Sequence, residues 1–557
     1  EFPFFSFLLG DNHPHVLALP FVLMAVGLAL NLFLRQRDLP STPTGESSNR
    51  WQNWLHLLTF DNDRLLLGAA VLMLGGLGFL NTWDMPIYIG LAVLAWGLGE
   101  SLRRQRVDSE LLVQVIVLAV CLLMASVLAY LFFYLSFASQ AGGILPYIFP
   151  PTRLPQYLVM FGVQIFAVTV FLAASAALFG KKLAGRTVLR TWGAVILACS
   201  VLLGLILAAA GLVLTVSSEL GGTVRAALGD RTLLQTVQTI LGDRLANPWL
   251  FLLLTALLGL ALANAWLIFN HRPAPETASA EVQSQPAVDT APLFAFLLIF
   301  VGLVLTFSVE FFYLRDVFSV RMNTVFKFYF QGWILLSCAS AYGLWWVFGR
   351  EREANEKPAL AGALRLVLGG LAILLIAAGM VYPALSYPNR VNNFESEPNL
   401  DGSSMQRRIN PDDFAAIDWL RQNAVFESGQ PPTILEAPGR PFASYVYEGR
   451  ISAFTGFPTL LGWPGHEHQW RGEYTEPARR YPDIQNIFGT HDGQAMLDLL
   501  RQWQVDYVII GNTEQRFVAE LCLSADFACE PTAALRKFEL FLEPVFTSGS
   551  TTIYQVP

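Results

Sequence analysis

Long apolar runs with almost no charge recur down to about residue 385, and no other feature limits the possible folds so strongly. About 20 apolar residues in helical form span a bilayer, and a spanning segment must satisfy its own backbone hydrogen bonds. Ten stretches approach that length: 15–34, 65–80, 86–98, 111–137, 157–179, 189–216, 249–269, 292–307, 324–348 and 364–385. The second and third are short and separated only by the segment NTWDM, so they read as a hairpin of tilted spans or a re-entrant pair. The 557-residue chain is 54% hydrophobic and 14% charged, against about 25% charged in soluble proteins. That deficit lies in the apolar runs, and the remainder has ordinary soluble composition.

The positive residues set an orientation, because Lys and Arg favour cytoplasmic loops. With the N-terminus outside, the inner loops hold Arg35, Arg37 and Arg50, then Arg103, Arg104 and Arg106, then Lys181, Lys182, Arg186 and Arg190. Further along they hold Arg272, then Arg350, Arg352 and Lys357. The outer loops carry Arg153, Arg225, Arg231, Arg244, Arg315 and Arg321 over longer segments. The domain that follows is thereby expected outside the plasma membrane. Glu1–Pro14 resemble the end of an external loop, so a further span is expected upstream.

The expected division is a membrane domain over 1–386 and a soluble α/β domain over 387–557. Asn410-Pro411-Asp412-Asp413 is a helix start, with a cap, a first-position Pro and acids in the first turn. Residues 433–436, 505–510 and 551–556 suit strands, and amphipathic 492–503 precedes the second of these as a helix. Segments 40–50 and 272–291 read as flexible linkers. The external segment 137–156 suits an interfacial loop, and 217–247 a helix lying on the membrane. Cys121, Cys199 and Cys338 fall in spans, whereas Cys522 and Cys529 lie where a disulfide is permitted.

Four polar clusters carry candidate chemistry, and all fall on the outer side. Glu1, Asp11, His13 and His15 lie in EFPFFSFLLGDNHPH. Asp11 with the two His could bind a divalent cation, Mg or Mn, or act as a base, or the loop simply meets water. In NTWDMPIY, Asp84 stands between two apolar halves, where an acid is costly and a functional candidate, or sits in a solvated turn. VEFFYLRDVFSVRMNTVFKFYFQ holds Glu310, Asp316, Arg321 and Lys327. Its cations suit a phosphate, although a lysine at a helix end also snorkels. TGFPTLLGWPGHEHQWRGEY brings Trp463, His466, His468 and Arg471, which suit a sugar face, hydroxyls and phosphate, or form an ordinary surface loop. The sequence contains no Walker loop or dinucleotide fingerprint. Nucleic acid is not an expected partner.

The stretches FSFLLGDNHPHVLALPF, NTWDMPIY, RMNTVFKFYFQ and GFPTLLGWPGHEHQWRG resemble the YYY membrane-protein family of Chloroflexi and archaea. More distantly, the chain is similar to the GT-C glycosyltransferases that use polyprenyl-phosphate sugars. That resemblance implies a GT-C-like polytopic helical fold and inverting transfer of a sugar to an external glycan, lipid or protein acceptor. Asp11 would correspond to the first-loop acid, with Glu1, Asp84, Glu310 and Asp316 orienting substrates or holding a cation. Arg321, Lys327, His466, His468 and Arg471 would neutralise the lipid phosphate. Asp11 is followed by HPH, not by the second acid common in protein mannosyltransferases, and the WWDYG signature is absent. The rival readings are a transporter or flippase of a lipid-linked or anionic substrate, and a non-catalytic envelope glycan-binding protein.

Overall fold

Each of the ten apolar runs is helical, the conformation in which a segment satisfies its own backbone. The computed structural model describes residues 3–10, 13–39, 60, 63–137, 142–147, 149–179, 181–216, 232–270, 289–316, 320–350, 362–395, 399–424, 429–524, 527 and 529–557. Residues 40–50 and 272–288 of the expected linkers, and 217–231, lie outside them. The chain divides into two compact units, Glu1–Glu395 and Ser396–Pro557.

The first unit runs α1 (Pro3–Leu9), α2 (Pro14–Asp38), α3 (Arg64–Leu80), α4 (Asp84–Arg104), α5 (Ser109–Ala129), α6 (Leu131–Ser136) and β1 (Ile144–Pro146). It continues with α7 (Leu154–Ala177), α8 (Lys181–Val216), α9 (Leu233–Ala246), α10 (Trp249–Asn270), α11 (Pro292–Ser308) and β2 (Phe312–Leu314). The last two helices are α12 (Met322–Leu344), extended by a π turn at Trp345–Gly349, and α13 (Gly362–Arg390). Among the described residues, eight helices have the length and hydropathy to cross a membrane: α2, α4, α5, α7, α8, α10, α12 with its extension, and α13. The apolar helices α3 and α11 are shorter, at 17 residues each. The chain is a polytopic α-helical integral membrane protein.

Local signals account for several boundaries. Asp63 caps α3 by accepting from the Leu66 N–H at 3.0 Å, and Asp108 caps α5 through the Leu111 N–H at 2.9 Å. Arg35 of α2 donates to Asp63 at 2.6 Å. Between α3 and α4 only Asn81, Thr82 and Trp83 intervene, so the two short apolar runs make a helical hairpin. The second run extends into charged sequence because Glu100 is buried against Arg103 and Arg104 of its own helix and takes 2.5 Å from Gln36 of α2. The segment expected as a plain interfacial loop contributes β1, which pairs antiparallel with β2. The helix α9 occupies the end of the expected 217–247 helical region.

The second unit is largely helical around a small mixed sheet. Its elements are α14 (Ser404–Ile409), α15 (Pro411–Asn423), β3 (Ile434–Leu435), α16 (Arg450–Thr455), α17 (Pro464–Arg471) and α18 (Thr475–Gly489). Then come α19 (Gly493–Gln502), β4 (Tyr507–Ile510), α20 (Asn512–Cys522), α21 (Pro531–Phe541), β5 (Glu543–Ser548) and β6 (Thr551–Gln555). The strand order is β3-β4-β6-β5, with only β3 and β4 parallel. One apolar cluster centres on Ile487, Phe488, Leu500, Val508 and Phe538, and another on Phe414, Ile417, Ile451, Ile509 and Ile553. Val508 and Ile509 point opposite ways from β4, so the sheet separates the two. Cys522 and Cys529 form a disulfide.

At the C-terminal ends of β3 and β4, Arg450, 2% exposed, meets three carboxylates. It bonds Asp413 at 2.6 Å and Glu514 at 3.0 Å, and approaches Glu436 at 3.5 Å. Backbone N–H groups complete the acids: Ile451 and Ser452 donate to Glu436, and Ala437 and Gly511 to Glu514. Removing one member of a buried ionic cluster costs about 3–5 kcal/mol because the others lose compensation. Arg450→Ala is therefore expected to lower stability by about that amount, read as a shift in the thermal unfolding of the full chain. Burial pushes the Glu436 carboxyl up to about 7 against its donors. A carboxyl raised this way contributes stability that is whole below its unfolded value and lost as pH climbs through about 7. Glu436→Gln should flatten that decline in melting temperature between about pH 5 and 7.5; an unchanged slope would contradict the assignment.

Candidate functional site

The start of α12 reads RMNTVFKFYFQ, and its helical spacing sends different side chains to different neighbours. Residues three or four apart share a face. Phe326 and Phe330 pack on the ring of His15, at the start of α2, with centroids 4.6 and 4.7 Å away. Gln331 reaches the start of α4. Tyr329 meets Tyr157 and Phe161 at the start of α7, with centroids 5.9 and 5.1 Å away. The C-terminal half of α11 lies against the same helix with almost no intervening space. A Cβ on Gly332 would fall 2.5 Å from Thr306 Cγ2, so glycine there permits the approach. Thr306 in turn shares a 2.9 Å hydrogen bond with Tyr157. One end of the bundle thus collects the starts of α2, α4, α7 and α12 and the end of α11.

Asp84 is the acid enclosed by this convergence, only 1% exposed. Gln331 Nε2 donates to its Oδ1 at 2.8 Å, and Tyr88 donates to Gln331 Oε1 at 2.6 Å. The second oxygen, Oδ2, is buried with no hydrogen bond of ordinary geometry, and the Asn81 side chain stands near the carboxylate. Such orphaned atoms are rare in native folds. Lys327 lies within electrostatic reach of both Asp84 and Asp316, and its Nζ is 5.7 Å from the centre of the Trp83 ring. Asn323 donates to Asp316 at 2.5 Å. Ser6 of α1 and His15 Nε2 are 3.1 Å apart, while His13 precedes α2 in the capping position and is exposed.

Glu310 and Arg321 form a second knot. Arg321 donates to Glu310 Oε1 at 2.9 Å, to the Val309 carbonyl at 3.0 Å and to Thr152 Oγ1 at 3.0 Å. Its guanidinium lies 3.8 Å from the Tyr147 ring centre. Thr152 gives both its N–H and its hydroxyl to Glu310. Arg244 of α9 binds the Glu310 carbonyl at 2.6 Å. The knot ties the β1–β2 ribbon to α7 and α9, and its internal bonds engage much of the Arg321 fork.

Of the residues expected in the first unit, His15, Asp84, Asp316 and Lys327 flank the start of α12, and Glu310 with Arg321 make the separate knot. Glu1 and Asp11 lie outside the described residues. Among the described residues, no group of three or more His, Cys, Asp or Glu is arranged to hold a metal ion. The sequence placed Gln331 in the third cluster, one turn after Lys327, but did not pair it with Asp84, and Thr152 and Arg244 had no role assigned.

In the second unit, α17 carries PGHEHQWR and is entered through Gly465. A Cβ there would sit 2.2 Å from the Phe442 carbonyl oxygen, so this position admits only glycine against the 440–446 segment. A pocket of about 410 Å³ opens beside the helix, and Thr459, Trp463, His466, Glu467 and Arg471 are in its wall. Glu476 and Arg480 of α18 face it from across. His468 lies outside that lining, with its ring beside Phe442 and Tyr474. Trp463, His466 and Arg471 are thus brought together as expected partners, and His468 is not. Thr459, Glu476 and Arg480 were missed, because nothing in their local sequence distinguishes them.

A structural likeness exists to an archaeal oligosaccharyltransferase from Archaeoglobus fulgidus, solved with an inhibitory peptide and a dolichol-phosphate. The two are 13% identical with a TM-score of 0.30, and the match covers 98% of this chain and 57% of that one. The chain therefore spans a little over half of that enzyme's length. No curated protein matches by sequence. Residues 1–336, which include the Asp84 cluster and the Glu310–Arg321 knot, match the family model described as uncharacterized membrane protein DUF2298. The chain belongs to the DUF2298 family of membrane proteins.

Proposed function

We propose that the chain is a membrane glycosyltransferase, moving a sugar from a polyprenyl-phosphate donor to an acceptor outside the plasma membrane. The observation that carries this reading is the buried Asp84 carboxylate, one oxygen held by Gln331 and the other without a partner, beside Lys327. An acid with an unfilled oxygen is placed to take a proton, and a cation nearby is placed to hold a leaving phosphate. Arg35 and Arg37 end α2, and Arg103 and Arg104 end α4. Positive residues favour the cytoplasmic side, which supports reading the Asp84 end as the outer one. The same charge bias supports an outer location for the C-terminal unit.

In the proposed reaction, Asp84 Oδ2 accepts the proton of an acceptor hydroxyl as that oxygen bonds to the anomeric carbon. The bond from the anomeric carbon to the phosphate oxygen breaks, and its electron pair leaves with the lipid phosphate. Lys327 offsets the charge that develops there. Gln331, fixed by Tyr88, orients the Asp84 carboxylate, and Asp316 holds Lys327 or a divalent cation. Asp11 is the other acid the sequence offers for the role of base. Against the transporter reading stands the position of Asp84, which is the first residue of its helix and not a mid-span charge.

The test supplies membranes containing the full-length protein with radiolabelled polyprenyl-phosphate hexoses and follows label into lipid, glycan and protein fractions. Asp84→Asn is expected to lower transfer by at least about 100-fold, the lower range for a lost general base, with expression unchanged. Asp11→Asn in parallel assigns the base if Asp84→Asn transfers normally. Lys327→Gln should slow transfer and weaken donor saturation together. Transfer at the parental rate in all three variants, or none from any donor by the parent, would refute the proposal.

A further inference from the structure

The pocket beside α17 is electrically balanced. Glu467 pairs with Arg471, and Glu476 pairs with Arg480. Arg480 also gives a 3.0 Å bond to the Leu460 carbonyl. Both guanidiniums are thus compensated before any ligand arrives, a poor arrangement for capturing phosphate and a good one for an uncharged group rich in hydroxyls. Carboxylates accept from such hydroxyls and guanidinium groups donate to them.

Two further atoms point the same way. Thr459 Oγ1 is buried in the pocket wall with no hydrogen-bond partner. A buried hydroxyl left open is uncommon, and a ligand hydroxyl would satisfy it. Trp470 Nε1 donates to His466 Nε2 at 2.7 Å, so the proton of the neutral ring sits on Nδ1 and makes that atom a donor. The aromatic side of the pocket is held rigidly. The Trp463 indole N–H is anchored on the carbonyls of Val446 and Glu448, at 3.0 and 2.5 Å. The exposed Tyr445 ring, outside the pocket wall, has its centre 5.4 Å from that of the Trp463 ring. Tyr445 and Phe442 both adopt left-handed backbone angles, φ 57° and 61°, a conformation that costs energy for side chains of this size and clusters at binding sites.

We propose that this pocket binds a neutral pyranose at the end of a glycan. One sugar face would stack on Trp463, and its hydroxyls would bond Thr459, His466 and the two acid–arginine pairs. The volume of about 410 Å³ falls within the range of small-ligand sites, about 300–1,000 Å³. The assignment goes beyond the transfer reaction and stands apart from it, since binding requires no lipid donor and none of the residues around Asp84.

The experiment uses the full chain purified in a detergent without sugar headgroups. It is titrated with neutral oligosaccharides ending in glucose, mannose, galactose or N-acetylglucosamine, and with inorganic phosphate as the charged control. The expected result is saturable binding of at least one oligosaccharide at or below about 1 mM and no competition by phosphate. Thr459→Val should weaken that binding about tenfold, near the upper range for one hydrogen bond, without lowering the melting temperature. His466→Phe should weaken it similarly while keeping an aromatic ring. Absence of binding by every oligosaccharide, phosphate bound as tightly, or affinity unchanged in either variant would overturn the proposal.

Discussion

An acid enclosed within an apolar bundle sets the terms for the membrane unit. Burying an ionisable group away from water is costly unless it is hydrogen-bonded or paired, so such a residue persists where it has partners or a task. Asp84 has half of each: Gln331 satisfies one oxygen and the other remains open. The helices around it are arranged accordingly. Gln331 is presented by α12, and α12 is seated by Gly332 against Thr306, by Tyr329 against Tyr157 and Phe161, and by Phe326 and Phe330 against His15. A shift of α12 by one residue would rotate Gln331 away by roughly 100° and leave a buried carboxylate unbonded.

The two ends of α4 handle the same problem differently. Glu100 is also 1% exposed, but Arg103, Arg104 and Gln36 enclose it with donors. It reads as an internal tie between α2 and α4. The Arg450 cluster of the second unit is closed in the same sense, with backbone N–H groups completing the acids that Arg450 cannot satisfy alone. Closed polar clusters stabilise and specify a fold. Open ones, at Asp84 Oδ2 and Thr459 Oγ1, are where a ligand has something to complete.

The helices were legible because a bilayer imposes its demand locally: each apolar run must satisfy its own backbone, so the run itself marks the helix. The helix starting at Pro411 was equally clear from its cap and first-turn acids. Contacts between distant segments were not. Tyr88 and Gln331 are 243 positions apart, and the ribbon joining 144–146 to 312–314 has no sequence signal beyond short apolar runs. The strand β5 was missed because Glu543 and Pro544 break the apolar pattern. In HEH, adjacency misled: residues two apart on a helix face away from one another, which takes His468 out of the lining that holds His466. Charge alone led to the expectation that the acids and bases share one side, whereas which oxygen was unsatisfied was a matter of packing.

The most direct measurement is an experimental structure of the full-length protein in lipid nanodiscs with a non-transferable polyprenyl-phosphonate hexose. The expected result is the phosphonate beside Lys327, with the anomeric carbon facing Asp84 and space for an acceptor hydroxyl within about 3 Å of Oδ2. Donor density elsewhere in the bundle, with Asp84 still sealed behind Gln331 and Tyr88, would contradict it.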